Sequence, residues 1–234
     1  NPRSIYNKAE NLKQFVKERE IDIVCISESW ARSEDPLENL LRMDNFEIIS
    51  NPNVRKEVGG KPAIMVNNEL FKVENPNQTL ITIPWGVECV WAILTPKDLT
   101  NSSIVKKIIV ASFYLKPHSK TKSARFDHIS QVYHALSAKY VSGLYWAIAG
   151  DRNEFQIDNI LSLCPDFKQL VDRPTRLSPP RILDVIVTNM AKFYDVPTVE
   201  DPLEPDSVMN GAPSDHLMVV LSPRTNFQNK RGRN

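Results

Sequence analysis

The chain contains 234 residues, of which 41% are hydrophobic, and it carries a formal net charge of +1. This length and apolar content fit one large globular domain, or two small ones, and argue against an intrinsically disordered chain. Because the net charge is close to zero, binding to DNA would have to depend on local basic clusters and not on the field of the whole molecule.

Cysteine usage and the length of the apolar runs point to the compartment. The three cysteines, Cys25, Cys89 and Cys164, lie far apart and are odd in number. They suggest neither a disulfide framework nor a zinc site, and they favour a reducing, intracellular location. The longest apolar stretches, such as residues 108–115, are far too short to cross a bilayer, so we expect no membrane association.

The predicted elements begin with a helix and a buried strand. Asn7 and Glu10 resemble a capping box, and apolar residues at helical spacing continue towards the apolar run 21–26, which predicts a strand. Many strands with intervening helices indicate an α/β or α+β sandwich, with sheets inside and helices outside. Further strands are predicted at 63–66, 87–94, 107–115, 144–149, 182–188 and 217–221, and further helices at 126–140 and 157–163.

The last part of the chain is rich in proline and charge. Residues 195–212 are interpreted as a long acidic loop, and from Pro223 the chain becomes polar and ends in a short basic run. We therefore expect a domain over residues 1–222, followed by a basic polar tail or linker at 223–234. Nuclear targeting by so short a run is the weaker alternative.

Four short polar motifs lie where apolar, strand-like runs meet loops. Carboxylates, an amide and one imidazole gathered at strand ends are the groups that metal-assisted phosphate chemistry requires. In chain order, the motifs are Ser27-Glu28-Ser29, Gly150-Asp151-Arg152-Asn153, Leu183-Asp184 and Ser214-Asp215-His216.

Each motif also has an ordinary structural explanation. A Gly-Asp-x-Asn sequence is common in turns, and Glu28 could be a solvated residue that closes a strand. Asp184 interrupts an apolar run and therefore needs a partner. We favour His216 over loop amides, because such a pair fixes the imidazole tautomer. Tyr114 is either an aromatic residue at the edge of the core or a donor to phosphate.

Basic residues cluster next to two of the predicted strand ends. Solvated surface and phosphate contacts on either side of a cleavage site explain these clusters about equally well. One cluster contains Lys116, Lys120, Lys122 and Arg125, and the other contains Arg173, Arg176 and Arg181.

Together, the order and context of these motifs resemble the endonuclease/exonuclease/phosphatase superfamily over nearly the whole chain. Within it, the chain is most similar to the apurinic-like endonuclease domain of non-LTR (LINE-type) retrotransposons. The resemblance implies a four-layer α/β/β/α sandwich of two packed, mostly antiparallel sheets flanked by helices. The closer match rests on Asn1-Pro2-Arg3-Ser4 with Asn7-Lys8, Glu28-Ser29-Trp30, Gly59-Gly60, Arg173-Pro174-Thr175-Arg176, Leu183-Asp184 and Thr188-Asn189.

The resemblance also implies a metal site and a group that activates water. Mg²⁺, or Mn²⁺ in its place, would be bound by Asn1 and Glu28, with Asp215 nearby. Asp151 would activate the attacking water, and Asn153 would position that water or the phosphate. No small-molecule organic cofactor is expected.

The remaining roles implied by the resemblance concern the phosphate and the DNA. His216, oriented by Asp184, would contact the scissile phosphate, and Tyr114 would help to bind it. Residues 177–181 lie where this family carries a protruding hairpin, which would enter a groove of the DNA and select the target. The expected DNA contacts are Arg3, Lys116, Arg173, Arg176, Arg181 and Ser214.

The chain departs from the family pattern at several positions. Asn1 opens the chain, so most of the strand that normally carries it is missing. Arg3 stands where abasic-site endonucleases have an Asp, which favours the retrotransposon branch. Arg152 replaces the usual apolar residue between Asp151 and Asn153, and Lys61-Pro62 interrupts a glycine-rich stretch.

These features lead to one expected function and two alternatives. The expected function is nicking of double-stranded DNA in the nucleus, leaving a 3′-hydroxyl that primes reverse transcription by a reverse transcriptase in the same longer polypeptide. The first alternative is an abasic-site repair enzyme or another phosphoesterase of the superfamily. The second is a non-catalytic module that binds nucleic acid or protein.

Overall fold

Two packed β-sheets with helices on their outer faces form the centre of the molecule in the computed structural model. The structure describes residues 2, 4–30, 36–50, 60–76, 80–84, 87–97, 107–116, 122–140, 144–206 and 212–224. The helices are α1 (Ala9–Glu18), α2 (Leu37–Leu40), α3 (Lys122–Lys139) and α4 (Asp158–Leu161). The strands are β1 (Ile23–Ile26), β2 (Phe46–Ser50), β3 (Ala63–Asn67), β4 (Phe71–Glu74), β5 (Cys89–Pro96), β6 (Lys107–Tyr114), β7 (Leu144–Asp151), β8 (Lys168–Gln169), β9 (Arg176–Leu177), β10 (Pro180–Arg181), β11 (Asp184–Thr188), β12 (Thr198–Pro202) and β13 (Leu217–Val220).

The larger sheet has six strands in the order β4-β5-β6-β7-β11-β8. Strands β6 and β7 are parallel, and the other neighbours are antiparallel. Along β5, Trp91 and Ile93 face the core beneath α3, while Val90 and Ala92 face the second sheet. Because β5 is buried on both faces, its sequence is a continuous apolar run instead of an alternating one.

The second sheet has three strands in the order β1-β3-β2. Ile64 and Val66 of β3 pack against the six-stranded sheet, whereas Ala63 and Met65 face the core that α1 and α2 cover. The layers therefore follow the order helix, sheet, sheet, helix. This arrangement confirms the predicted four-layer sandwich.

The predicted strands and helices are present, with bounds that differ at their ends. The predicted acidic loop at 195–212 is partly wrong, because β12 lies within it and pairs antiparallel with β13. The sequence did not predict this strand, because the acidic side chains of Glu200 and Asp201 interrupt its apolar pattern. Strands β2 and β4, the two-residue strands and helix α2 were not predicted.

The start of helix α1 differs from the predicted capping box. Lys8 is the N-cap residue, and no side chain of the cap itself bonds to the helix. Instead, the carboxylate of Asp206 accepts hydrogen bonds from the backbone N–H groups of Asn11 (2.9 Å) and Glu10 (3.3 Å). A residue from a distant part of the chain therefore satisfies two free donors of the first turn, which is the role predicted for Asn7.

The cysteines are reduced, and at least one of them is a core residue. Cys25, Cys89 and Cys164 do not form disulfides with one another. Burial raises the pKa of Cys25 to about 12, so this thiol is a core residue and not a reactive group. In the part of the chain that the structure describes, no helix combines the length and apolar character needed to span a membrane.

Candidate active site

The ends of three neighbouring strands in the larger sheet bring three polar side chains into line. Asp151, the last residue of β7, is directly opposite Tyr114, the last residue of the parallel strand β6. On its other side, Asp151 is paired with Asp184, the first residue of the antiparallel strand β11. Strand register alone therefore places these three residues, from distant parts of the chain, at one edge of the sheet.

His216 joins this row through a hydrogen bond to Asp184. Nδ1 of His216 lies 2.7 Å from Oδ2 of Asp184, and both residues are buried. Burial alone would lower the pKa of His216, but hydrogen bonding to Asp184 and the charges of Asp184 and Asp151 outweigh burial, so the net shift is upward. The geometry confirms the predicted pairing and leaves Nε2 as the ring nitrogen that can face a substrate.

Asp184 is the anionic partner of this pair. Its burial alone would raise the pKa of the carboxyl group, but hydrogen bonding and charge from His216, together with a hydrogen bond from Thr175, act to lower it. The backbone N–H groups of Leu183 and Asp184 both donate to Oγ1 of Thr175, at 3.1 and 3.0 Å. Thr175, which is completely buried, therefore fixes the backbone at the start of β11.

Ser214 and the strand that follows it hold His216 in place. The backbone N–H of His216 donates to Oγ of the buried Ser214 (3.1 Å), which forms a local turn before β13. The next N–H, that of Leu217, donates to the carbonyl of Thr175 (2.7 Å). The structure therefore gives Ser214, predicted as a DNA contact, a bond that orients the histidine.

Asp151 is 2% exposed and carries a strongly shifted pKa. Burial, followed by the negative charge of Asp184, raises the pKa of Asp151 to about 7, although His216 and the backbone N–H of Asn153 oppose the shift. That N–H donates to Oδ1 of Asp151 at 2.9 Å. A carboxylate with a pKa near neutrality can exchange a proton with water at physiological pH.

Asn153 adopts a left-handed backbone conformation, with φ of 45°. Its side-chain amide donates to the carbonyl of Leu115, which follows Tyr114, at 2.9 Å. In turn, the N–H of Leu115 donates to the carbonyl of Asp151, also at 2.9 Å. Asn153 therefore ties the end of β6 to the turn after β7, and its Oδ1 is the atom left to orient water or substrate.

Glu28 lies just beyond β1 and is 8% exposed. Nε1 of Trp30 donates to Oε2 of Glu28 at 3.4 Å. Burial, followed by hydrogen bonding to Glu28, raises the pKa of Tyr114 well above its usual value, so this phenol stays protonated and acts as a donor. The charge of Glu28 also contributes to the raised pKa of Asp151, which places Glu28 near the row of strand ends.

The donor atoms at this site fit a hard divalent cation. Glu28 and Asp151 supply carboxylate oxygens, which are the ligands that Mg²⁺ and Mn²⁺ prefer. The ligand-forming atoms of Asp151, Asp184 and His216 lie within 4.8 Å of one another. Because Nδ1 of His216 is bonded to Asp184, these two residues form a hydrogen-bonded pair with Asp151 beside it, and Glu28 is the carboxylate that could hold a cation.

The structure also places five of the other predicted metal and DNA residues. Oδ2 of Asp215 lies 3.6 Å from Nη2 of Arg176, so Asp215 forms an ion pair next to the network and does not join the group of three. Asn1 and Arg3 lie outside the described residues. Lys116, Arg173 and Arg181 are exposed.

One member of the first basic cluster is not a surface residue. Arg125 is 3% exposed, and its Nη1 donates to the carbonyl of Lys116 at 3.3 Å. It therefore supports the chain after Tyr114 from beneath, and the interpretation as solvated surface is wrong for this residue. Lys120 and the side chain of Lys122 lie outside the described part of the structure.

Residues 177–181 belong to a hairpin, as the resemblance implied. Strands β9 and β10 pair antiparallel, with Arg181 opposite Arg176 and Pro180 opposite Leu177. Leu177 at the turn is 62% exposed, although leucine side chains are usually buried. The hairpin leads directly into Asp184, so it projects next to the candidate site.

Two residues that support the site had no assigned role in the sequence analysis. Thr175 was noted only as part of a motif, and Arg152 only as a departure from a pattern. Both act through backbone carbonyl and amide groups, which have no signature in the sequence. The one available signal was their position, immediately beside residues with predicted chemistry.

Comparison with known proteins identifies the fold. No family model and no curated protein matches the chain. Among solved structures, an AP endonuclease from Archaeoglobus fulgidus is 15% identical, with a TM-score of 0.59 over 95% of this chain and 96% of that one. TDP2 from D. rerio, complexed with a single-strand DNA product, is 15% identical, with a TM-score of 0.58 over 94% and 92%. An endonuclease/exonuclease/phosphatase family protein from Leptotrichia buccalis is 13% identical, with a TM-score of 0.57 over 93% and 92%. The chain therefore has the sandwich fold of the endonuclease/exonuclease/phosphatase superfamily.

Proposed function

We propose that this protein is a divalent-metal-dependent endonuclease that hydrolyses one phosphodiester bond of double-stranded DNA. The observation that carries the proposal is the convergence of Asp151, Asp184 and His216 within 4.8 Å, next to Tyr114 and Glu28. A phosphodiester is a suitable substrate because the site combines a base (Asp151), a cationic imidazole (His216) and a neutral donor (Tyr114). The likeness in fold to TDP2 with its DNA product supports this substrate class.

The side chains divide the reaction between them. Asp151, with a pKa of about 7, takes a proton from the attacking water, and Asn153 orients that water. His216, whose raised pKa favours the imidazolium form, donates from Nε2 to a phosphate oxygen and supports its developing negative charge. Tyr114 remains protonated and donates to the same phosphate.

Glu28 would hold Mg²⁺ or Mn²⁺, which when bound polarises the phosphate and neutralises charge on the leaving 3′-oxygen. The indole N–H of Trp30 helps to fix the Glu28 carboxylate by hydrogen bonding. Asn1 and Asp215 remain proposed as additional residues of this site, as the family resemblance implies.

The biological role that we propose is target nicking by a LINE-type retrotransposon in the nucleus. Cleavage leaves a 3′-hydroxyl, from which a reverse transcriptase in the same longer polypeptide begins synthesis. Sequence motifs support this assignment, in particular Arg173-Pro174-Thr175-Arg176 leading to Leu183-Asp184. The exposed β9–β10 hairpin is the proposed element for target selection, because Arg181 can enter a narrow minor groove.

A supercoiled plasmid incubated with Mg²⁺ provides the direct test. The parent protein should convert it to the open circular form, and DNA ligase should reseal the product if the ends are 3′-hydroxyl and 5′-phosphate. Asp151→Ala and His216→Ala should each slow nicking by roughly 100-fold or more, the scale of a lost general base. His134→Ala is the matched control, because His134 is exposed on α3. Nicking by both site variants at the parent rate would show that this mechanism is wrong.

Substrate comparison separates the proposal from repair of abasic sites. The likeness in fold to an AP endonuclease makes this the strongest alternative. Intact duplex, duplex with one abasic site and a phosphomonoester should be offered at equal concentration. The proposal expects cleavage of intact duplex, at positions that change when residues 177–181 are exchanged for another loop. A strong preference for the abasic duplex, with unchanged cleavage positions after the exchange, would favour the repair enzyme.

A further inference from the structure

Arg152 lies between Asp151 and Asn153, where the family pattern has an apolar residue. Its backbone N–H donates to the carbonyl of Leu183 at 2.8 Å. Its guanidinium group makes two further bonds, from Nε to the carbonyl of Ile182 (3.1 Å) and from Nη1 to that of Phe155 (2.9 Å). A phenylalanine or leucine at this position could make only the first of these three bonds.

The acceptors Ile182 and Leu183 form the short connection between β10 of the hairpin and β11. Arg152 therefore donates to both carbonyl groups of this connection. From the other side, Oγ1 of Thr175 accepts the N–H groups of Leu183 and Asp184. The base of the hairpin is closed by the N–H of Thr175, which donates to the carbonyl of Arg181 at 2.9 Å.

The connection is therefore held through both its carbonyl groups and its amide groups. These two sets of bonds link it to different parts of the site. Through Thr175 it is joined to the hairpin and to Asp184. Through Arg152 it is joined to the turn that carries Asp151 and Asn153. A planar guanidinium with donors in a fixed fork suits two carbonyl oxygens, whereas a lysine ammonium is a single point on a flexible stem.

From this arrangement we propose that Arg152 is a positioning residue that couples the β9–β10 hairpin to the Asp151–Asn153 turn. The coupling fixes where the phosphate stands relative to Asp151 once the hairpin has engaged DNA. The inference rests on the proposed nuclease function and adds to it a determinant of cleavage position. The inference also explains why an arginine stands at position 152, where the family pattern has an apolar residue.

Replacing Arg152 with Met keeps the backbone bond and removes both guanidinium bonds. Because a displacement of about 1 Å can cost roughly 100-fold in rate, kcat for nicking should fall by about 10- to 100-fold while KM changes little. On a plasmid with mapped nicks, the distribution of cleavage positions should broaden. Arg152→Lys should recover only part of the rate and of the position preference.

Arg224→Met is the matched control. Nε of Arg224 also donates to a backbone carbonyl, that of Tyr194 (2.9 Å), on an exposed part of the chain away from the candidate site. The control should lose a comparable guanidinium–carbonyl bond and keep the parental rate and cleavage positions. Equal thermal midpoints for the two variants would show that stability alone does not explain the difference.

Two measurements can overturn the inference. If Arg152 contacted phosphate directly, the slope of log Kd against log salt for duplex binding would fall by about one in Arg152→Met. The coupling role instead leaves that slope unchanged. Amide hydrogen exchange over residues 175–184 should be faster in Arg152→Met than in the parent and the control. Unchanged exchange there would reject the coupling whether or not the parent nicks DNA, so this result is independent of the proposed function.

Discussion

Oδ2 of Asp184 and Nδ1 of His216 are 2.7 Å apart although the two residues are separated by 32 positions in the chain. One begins a strand of the larger sheet and the other precedes the last strand. The hydrogen bond therefore depends on correct packing of the whole sandwich. It also gives the imidazole a fixed orientation and tautomer, as the proposed contact between Nε2 and phosphate requires.

Asp184→Asn should reduce kcat for nicking by roughly 100-fold, because the neutral amide no longer stabilises a positive imidazole. The pKa of His216 should fall, since hydrogen bonding and charge from Asp184 are what raise it against the effect of burial. Proton NMR titration of the histidines and plasmid nicking measure the two effects. Asp22→Asn is the control, because Asp22 accepts a side-chain bond from Asn67 beside a different strand. A parental rate in Asp184→Asn would contradict the assigned role.

Thr175→Val should destabilise the protein by about 2 kcal/mol, since valine has the same shape but leaves two buried amide groups without their acceptor. Urea denaturation followed by fluorescence of the tryptophans would measure the free energy of unfolding. Thr198→Val provides the comparison, because the hydroxyl of Thr198 donates to Glu200 on the exposed side of β12. Equal losses in the two variants would show that the amide bonds to Thr175 contribute little.

Gly150→Ala should disrupt the site and the fold together. A Cβ atom at Gly150 would lie 2.1 Å from the backbone oxygen of Phe113 on the neighbouring strand. Because that oxygen belongs to the main chain of β6, strands β6 and β7 would have to separate next to Asp151. We expect a loss of several kcal/mol, on the scale of other overpacked core positions, together with loss of nicking. Ala149→Gly, in the same strand, should lower the free energy of unfolding by only about 1 kcal/mol.

His128 should make a contribution to stability that is lost as the pH is lowered from about 6.5 to 4. Nε2 of His128 accepts the indole N–H of the buried Trp91 at 3.1 Å, and burial lowers the pKa of His128 from 6.5 to about 4. Between these values the unfolded chain binds a proton that the folded one does not, so acid favours unfolding by up to about 3 kcal/mol. The urea midpoint of His128→Gln, measured relative to that of the parent at each pH, should therefore rise as the pH is lowered. An equal dependence in both proteins would contradict the assignment.

Asp206→Ala should cost about 1 kcal/mol, the usual contribution of a helix N-cap. Asp206 accepts the first free N–H groups of α1, from Asn11 and Glu10, although it lies near the other end of the sequence. Thermal unfolding measured by circular dichroism would report the loss. Glu204→Ala serves as the reference, since Glu204 bonds to Asn11 through its backbone carbonyl, which the substitution retains.

The sequence predicted the central strands and the polar residues at their ends because these strands are long apolar runs, of which β5, β6 and β11 are largely buried. Continuous apolar runs such as that of β5 are visible without any alignment, and so are charged residues that interrupt them. The same reasoning missed β12, where Glu200 and Asp201 occupy a partly exposed strand. It also misplaced the cap of α1, because the residue that bonds there is about 200 positions away and nothing local to Asn7 reveals it.

The supporting contacts of the site were beyond prediction for a related reason. Thr175 and Arg152 act on carbonyl and amide groups, and every residue other than proline carries both. Only the folded chain shows which of those groups lie within reach. The Asp184–His216 pair was predictable because a carboxylate inside an apolar run requires a partner, and few histidines were available.

The direction of the strands determines where residues can be added next to the candidate site. Asp151 and Tyr114 end their strands, whereas Asp184 begins β11. The hairpin, which precedes Asp184 in the chain, therefore lies beyond the edge of the sheet where these three residues meet. Lengthening or replacing the tip of the hairpin adds residues outside the closed Thr175–Arg181 pair and leaves the register of β11 on β7 untouched. Under the proposed function, new DNA preferences could therefore be introduced at the tip without moving Asp151, Asp184 or Tyr114.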